Sequence, residues 1–503
     1  MSRFPAPAPK KPGARPTTNL AGGDAFDRSP RVALASLVLT SLVQDTYYQS
    51  AEKQLEDLAR IVGELASRGD LLFAAKAAIY ARREHGLRSI SHALAGRVAI
   101  ERAAHAQQRD GWGAVFFQNV VLRPDDMCEI AGYWLSQRTD KSARKTLPAA
   151  MKRGFARVFE GLSAHALSKY DGASTRSMTL RQLAHLVHPK GGKDTPVYAL
   201  RGGTLPPAKT WEVAITRAGQ VDSEDEVEVR AAKAGAWREL LVGNKLGYFA
   251  LLRNLRNLLR NVPDQHDLIC KRLIDPAEVN KSLVLPFQFL AAYEAIAIEP
   301  IPHQRAVLGA LDLAMSVSLS NVPVLEGTTL VALDDSGSMM KPDLPFHKKP
   351  AIVGSLFAAA LLRRMRDVDL MLFSEDARYV SVPIEASMMH VVSTVTSNLR
   401  PLGTNFNAIF ETCARAYDRI VILSDEQGWM GISHPTKSRR MYEERFACKP
   451  MIYSWDLVGS TTSMFPERKV AALAGLSGKT FTLMQQLESD PNAMVNAIDA
   501  VQL

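Results

Sequence analysis

The sequence predicts a chain of two parts, an all-α array of stacked helix pairs followed by a doubly wound α/β domain. Three observations predict it. The chain has 503 residues, more than one ordinary domain holds around a single core. Residues 31–325 place apolar side chains at helical spacing in segment after segment, with almost no strand-like alternation. Beyond Leu325 the texture changes, and short β-branched apolar runs alternate with helical patterns. That alternation is the mark of βαβ units and a mostly parallel sheet covered on both faces. The first thirty residues are rich in Pro and Ala, carry Lys10, Lys11 and Arg15, and predict a disordered basic tail. The divisions therefore fall at 1–30, 31–325 and 326–503.

In order, helical spacing covers residues 51–67, 70–84, 89–106, 124–137, 147–162, 180–187 and 237–259. Loops with Gly, Pro, Asp or Asn separate these segments, as in 190–196 and 201–207. Many helices of this length with short connections predict an α-solenoid, although no clean repeat period is present. The acidic run 222–226 reads as solvated surface. In the second part, residues 328–334, 369–373, 379–384, 419–425 and 450–458 read as strands. Residues 351–366, 386–398, 406–417, 469–476 and 492–501 read as helices between and after them.

Composition excludes several classes. The 4 cysteines are far apart and form no CxxC pair, which excludes a disulfide scaffold and a cysteine-rich zinc module. No apolar run reaches the roughly 18 residues of a membrane span, and the N-terminus lacks an apolar signal core. A cytoplasmic protein without membrane association is expected. The net charge of +9 is uneven. Residues 141–190 hold ten basic side chains against Glu160 and Asp171 alone, whereas residues 328–503 are close to neutral. Within the basic stretch, Phe155, Phe159 and Leu162 share one helix face. Arg153 and Arg157 fall on the opposite face, with Lys152 at its border. Such a run can be a solvated face. A like-charged ridge repels itself unless an anion meets it, and RNA or DNA is the commonest polyanion.

A second constellation lies in the α/β part. The first strand ends in Asp334-Asp335-Ser336-Gly337-Ser338, a D-x-S-x-S pattern. The loop 401–407 brings Thr404 to the start of a helix, and the strand 419–425 ends in Asp425. In a doubly wound sheet the ligand site lies at the carboxyl ends of the strands. Asp334, Ser336, Ser338, Thr404 and Asp425 are all hard oxygen donors, suited to one octahedral Mg²⁺ or Mn²⁺ and unsuited to zinc. Taken alone, the D-x-S-x-S run could be a polar turn capping a helix.

These five residues resemble the metal-ion-dependent adhesion site of von Willebrand factor A domains, one to one. The resemblance implies a bound cation completed by a partner's carboxylate, and no hydrolysis. Asp335 is an additional acid, either hydrogen-bonded behind the site or facing out. The helical part resembles the TROVE module in the runs 147–154, 168–170, 180–190, 211–215, 246–257 and 285–293, and in Thr46-Tyr47-Tyr48. TROVE followed by a von Willebrand A domain is the architecture of the Ro autoantigen family, so the resemblance spans residues 31–503.

The resemblance implies a HEAT-like helical ring closed by the A domain, monomeric, with a central hole. It implies that small structured Y-like RNAs bind a basic outer face. It also implies that single-stranded 3′ ends of misfolded RNAs enter the hole, in RNA quality control, processing or decay. An exoribonuclease is the implied protein partner. The family's outer-face Lys, Arg and His fall on Lys169, Arg176 and His188, which join Lys152, Arg153 and Arg157 as RNA-binding candidates. His188 donates to phosphate, stacks on a base, or simply ends its helix beside Pro189. Tyr47, Tyr48, Tyr248 and Phe249 are expected in the core, and Arg253, Asn254, Arg256 and Asn257 either line a hole or cap a helix. The expected protein is not an enzyme. Two other readings stay open: a nuclease using His185 and His188, and a metal-dependent protein-adhesion scaffold in which RNA binding is secondary.

Overall fold

The computed structural model describes residues 16–503 apart from 42–49, 106–110, 138–145, 172–177, 221–224, 384–385, 432–433, 460–461 and 466–468, and the single positions 209, 299, 321, 323, 478, 489 and 491. Tyr47, Tyr48, Lys141, Arg144, Lys145, Arg176 and most of the acidic run therefore lie outside the described residues.

The chain opens with β1 (Pro16–Thr18) and β2 (Asp24–Asp27). The helical part follows as α1 (Pro30–Thr40), α2 (Ala51–Ser67), α3 (Leu71–Arg83), α4 (Ser89–Ala104), α5 (Gly113–Asn119) and α6 (Pro124–Ser136). It continues through α7 (Ala149–Glu160), α8 (Ala164–Asp171), α9 (Leu180–Val187), α10 (Pro196–Gly202), α11 (Trp211–Ala218) and α12 (Glu226–Val242). It ends with α13 (Tyr248–Arg253), α14 (Leu255–Asn261), α15 (His266–Leu273), α16 (Pro276–Ser282), α17 (Pro286–Ala297) and α18 (Gln304–Ser318). Local chemistry sets several starts. Ser50, Thr179 and Thr195 accept hydrogen bonds from the first-turn N–H groups of α2, α9 and α10. Proline opens α6, α10, α16 and α17, where its missing N–H costs nothing.

The second part contains β3 (Thr328–Asp334), α19 (Pro350–Arg364), β4 (Asp367–Phe373), β5 (Ala377–Val380), α20 (Met388–Ser397), α21 (Asn407–Thr412) and β6 (Arg419–Ser424). Then come α22 (Pro435–Phe446), β7 (Met451–Asp456), β8 (Thr462–Ser463), β9 (Val470–Ala474), α23 (Thr480–Leu487) and α24 (Ala493–Asp499). Six strands form one sheet in the order β5-β4-β3-β6-β7-β9, parallel except for the β4–β5 pair. Both faces are buried: Leu330, Ala332, Ile420 and Ile422 pack to one side, and Val331, Leu333, Val421 and Leu423 to the other. That explains why these strands show no apolar alternation in sequence. The second face shares a continuous core with the helical part.

Both ends of the helical part meet the α/β part. At the first end Arg31 pairs with Asp499 at 2.5 Å, Lys479 pairs with Glu84, and Ser477 Oγ is 3.0 Å from His85 Nδ1. At the other end His347 lies 2.9 Å from Glu294, and Asp312 accepts from the Met389 N–H at 2.8 Å. The two helical ends also touch each other. Gly86, at φ +69°, approaches Leu283 so closely that a Cβ would lie 2.9 Å from its carbonyl oxygen. Burial holds the His85 imidazole at a pKa lowered to about 3, so this junction contains a neutral ring.

Four expectations need correction. Residues 16–27 are not a disordered tail: β1 pairs with β2, and β2 pairs with β8 near the other end of the chain, a partner that local composition cannot reveal. Residues 1–15, with Lys10, Lys11 and Arg15, are outside the described part. Residues 469–476, which read as a helix, contain β9, where small alanines let α1 pack against the sheet edge. Residues 237–259 are three helices, broken at Gly243-Asn244, where Asn244 takes φ +51°, and again at Asn254. Phe249 is not core but 42% exposed, whereas its neighbour Tyr248 is buried and donates to the Leu273 carbonyl at 2.7 Å.

Candidate metal site and basic face

The strand order reverses between β3 and β6, because the chain passes from β3 to β4 on one side and later to β6 on the other. The crevice at the carboxyl ends of those two strands is where such sheets bind ligands. Asp334 is the last residue of β3, and Asp425 directly follows β6. Asp334, Ser336, Ser338, Thr404 and Asp425 are all buried and share this crevice. Asp334 accepts from Ser424 Oγ at 2.6 Å and from the Ser336 N–H at 2.9 Å. The Ser336 and Ser338 hydroxyls are 3.2 Å apart, and Ser338 bonds Asp425. The Thr404 carbonyl accepts from the Trp429 and Met430 N–H groups at 3.2 and 3.0 Å, which ties its loop to the segment after Asp425.

Two buried carboxylates meet here. Burial, with the charge of Asp335 beside it, pushes Asp334 up to about 6, and burial together with the Asp334 charge pushes Asp425 up to about 8. Hydroxyls and carboxylates in this arrangement suit a hard divalent cation. Among the described residues no cluster of three or more His, Cys, Asp or Glu is placed to hold a metal. The donor set therefore depends on its serine and threonine oxygens. Asp335 does not join it. It is buried, pairs with Arg378 and accepts from the Arg400 N–H at 2.7 Å, which pins the loop leading to Thr404.

The basic candidates sit on α7, α8 and α9, which pack together. Phe155 and Phe159 of α7 are fully buried, Arg153 and Arg157 are exposed, and Lys152 is half-buried between them. Lys169 is exposed on α8, with its Nζ 5.4 Å from the Tyr170 ring centre. His188 is exposed in a left-handed position (φ 55°) just past α9, where its N–H caps the Ala184 carbonyl. Among the described residues Lys152, Arg153, Arg157 and Lys169 form no ion pair, whereas Arg181 pairs with Asp171 at 3.3 Å. The face is thus less basic than the residue count implies. His185 and His188 are both exposed, but His188 is outside the helix, so the two do not share a helical face.

Two cavities carry basic and aromatic side chains, most of them outside the basic run. One of about 440 Å³ beside α7 is lined by Arg102, Phe117, Trp134 and Arg153. The other, of about 370 Å³, is lined by Phe249, Arg253, Arg256, Gln288, His347 and Lys348, from both parts of the chain. Asn254 and Asn257 bond each other at 3.2 Å at the α13–α14 junction, while the neighbouring arginines face the cavity. The paired Tyr248-Phe249 and Arg253…Arg256 spacing was the available signal for the second cavity.

A helical array joined at both ends to a doubly wound α/β domain defines the class of protein, and comparison with known proteins carries the assignment further. The TROVE domain model matches residues 222–302. The chain is 25% identical over 510 residues to the RNA-binding protein RO60 of Deinococcus radiodurans, covering 90% of this chain and 92% of that one. It is 24% identical to mouse and 22% identical to rat telomerase protein component 1, but spans only 13% and 11% of those long proteins. The crystal structure of the Deinococcus radiodurans RO (RSR) protein superposes with a TM-score of 0.57 at 18% identity, over 93% of this chain and 99% of that one. Residues 222–302 thus resemble the TROVE domain, and the chain is similar to a bacterial Ro protein over almost its whole length.

Proposed function

We propose that this chain is an RNA-binding protein of the Ro type, built as a monomeric helical ring closed by a von Willebrand A-like domain. The exposed Arg153 and Arg157, opposite the buried aromatic face of α7, and the exposed Lys169 of α8, none in an ion pair among the described residues, carry this reading. The name of the Deinococcus relative agrees with it. Structured, Y-like RNA binds the α7–α9 face, where Lys and Arg contact phosphates and recognise shape rather than sequence. The 3′ ends of misfolded or decaying RNA enter the hole, which the Phe249–Arg253–Arg256 cavity suits through stacking and charge. Joined to an exoribonuclease partner, such a protein serves RNA quality control, processing or decay in the cytoplasm without catalysing a reaction itself.

Asp334, Ser336, Ser338, Thr404 and Asp425 would hold one Mg²⁺ or Mn²⁺. Its chemistry there is to accept a partner's carboxylate. One observation favours the second reading, metal-dependent protein adhesion: Leu402 and Trp429, 47% and 52% exposed, flank Thr404 as an apolar rim.

A labelled hairpin RNA with a single-stranded 3′ extension tests the proposal. It should bind tightly at low salt, weaken steeply as salt rises, and stay intact with magnesium or with EDTA. Absence of binding at low salt contradicts the RNA reading. Cleavage that His185→Ala abolishes would restore the nuclease.

A further inference from the structure

The loop that follows Asp425 is held by the N-terminal hairpin. Asn19 Nδ2 donates to the Gly428 carbonyl at 2.6 Å. Gln427 Oε1 accepts from the N–H groups of Leu20 and Ala21 at 2.8 and 3.3 Å. The turn sits against the loop so tightly that a Cβ on Gly23 would lie 2.2 Å from the Gly428 oxygen. Just beyond β2, Arg28 inserts with a side chain only 2% exposed. Its guanidinium is 2.9 Å from Asp456 and 3.9 Å from Glu426, two carboxylates with no exposure.

Glu426 directly follows Asp425 and takes φ +61°, a backbone region that a residue with a side chain enters at a cost. Its carboxylate is fixed by Ser454, by the Met464 N–H at 3.1 Å and by Arg28. Without Arg28, two buried carboxylates near Asp334 and Asp425 lose their positive partner. The contacts that hold the Glu426 side chain in place are then fewer by one. Glu426 and Asp425 are consecutive, so what fixes the Glu426 side chain and its left-handed backbone also fixes the start of the Asp425 loop.

We propose that residues 16–28 are a positioning element of the metal site, with Arg28 and Asn19 holding the Asp425 loop in the form that takes a divalent cation. This rests on the metal reading above. Groups that orient metal ligands typically change affinity by about 10–100-fold when removed.

Mn²⁺ binding to the full chain, followed by the electron paramagnetic resonance of free Mn²⁺, tests it on Asp334→Ala, Arg28→Leu, Arg28→Lys and Asn19→Ala. Asp334→Ala should lose binding. Arg28→Leu should weaken it by about tenfold or more, Asn19→Ala by less, and Arg28→Lys should recover part of the loss. RNA affinity and circular dichroism should remain those of the parent. If Arg28→Leu fails to fold, Asn19→Ala, which removes one side chain's hydrogen bonds, decides alone. Folded Arg28→Leu or Asn19→Ala protein with parental Mn²⁺ affinity, beside an Asp334→Ala that has lost it, overturns the proposal. Parental Mn²⁺ affinity in Asp334→Ala would show that the metal site itself is wrongly assigned, and the positioning role falls with it.

Discussion

Charge reversal at Arg153, Arg157 and Lys169 together is expected to weaken RNA binding by about a hundredfold or more at low salt. The three side chains are exposed and unpaired among the described residues, so each is available to a phosphate. Each lost phosphate contact should also reduce the slope of log affinity against log salt by roughly 0.7–0.9. The flattened slope separates loss of phosphate contacts from a general loss of structure. Folding should survive, because α7 is anchored by the fully buried Phe155 and Phe159 on its other face. Exposed substitutions of this kind usually change stability by about 0.5 kcal/mol or less. Unchanged affinity and slope, measured by filter binding over a salt series, would remove this face from the RNA interface.

Asp334→Ala is the second large effect, and its signature is the reverse. Metal should no longer raise the melting temperature, whereas in the parent a cation at a hundred times its dissociation constant adds about 2.7 kcal/mol. The metal-free variant should not be much less stable than the metal-free parent. Asp334 and Asp425 are buried like charges, and removing one relieves the repulsion that raises the other. RNA affinity should stay within about threefold of the parent, because the proposed RNA face on α7–α9 lies apart from this crevice. Calorimetry with and without Mn²⁺, run beside RNA binding, checks both halves. A metal-induced stabilisation that persists in Asp334→Ala excludes this crevice as the cation site.

How much of this was legible beforehand depends on whether the deciding contact was local. The central strands could be read because burial on both faces leaves uninterrupted apolar runs such as those of β3 and β6. The five oxygen donors could be read because each falls at a strand end or loop start, where the topology brings them together. The role of Asp335 could not, since its partners Arg378 and Arg400 belong to other elements. Strand β9 was hidden because an Ala-rich run favours a helix locally and becomes a strand through pairing with β7. The N-terminal hairpin was hidden for the same reason, its third strand lying near the other end of the chain. On the basic face, the exposed ridge of α7 followed from helical periodicity. The partial neutralisation by Arg181–Asp171 and the groove at Arg102 and Trp134 needed tertiary packing to become visible.

Ultraviolet crosslinking of the chain to the RNA that co-purifies with it, with the crosslinked peptides identified by mass spectrometry, tests the central claim most directly. Crosslinks should concentrate in residues 149–190, with a second group at 248–256 around the exposed Phe249. Crosslinks confined to residues 326–503, or none above background, would contradict an RNA-binding helical array.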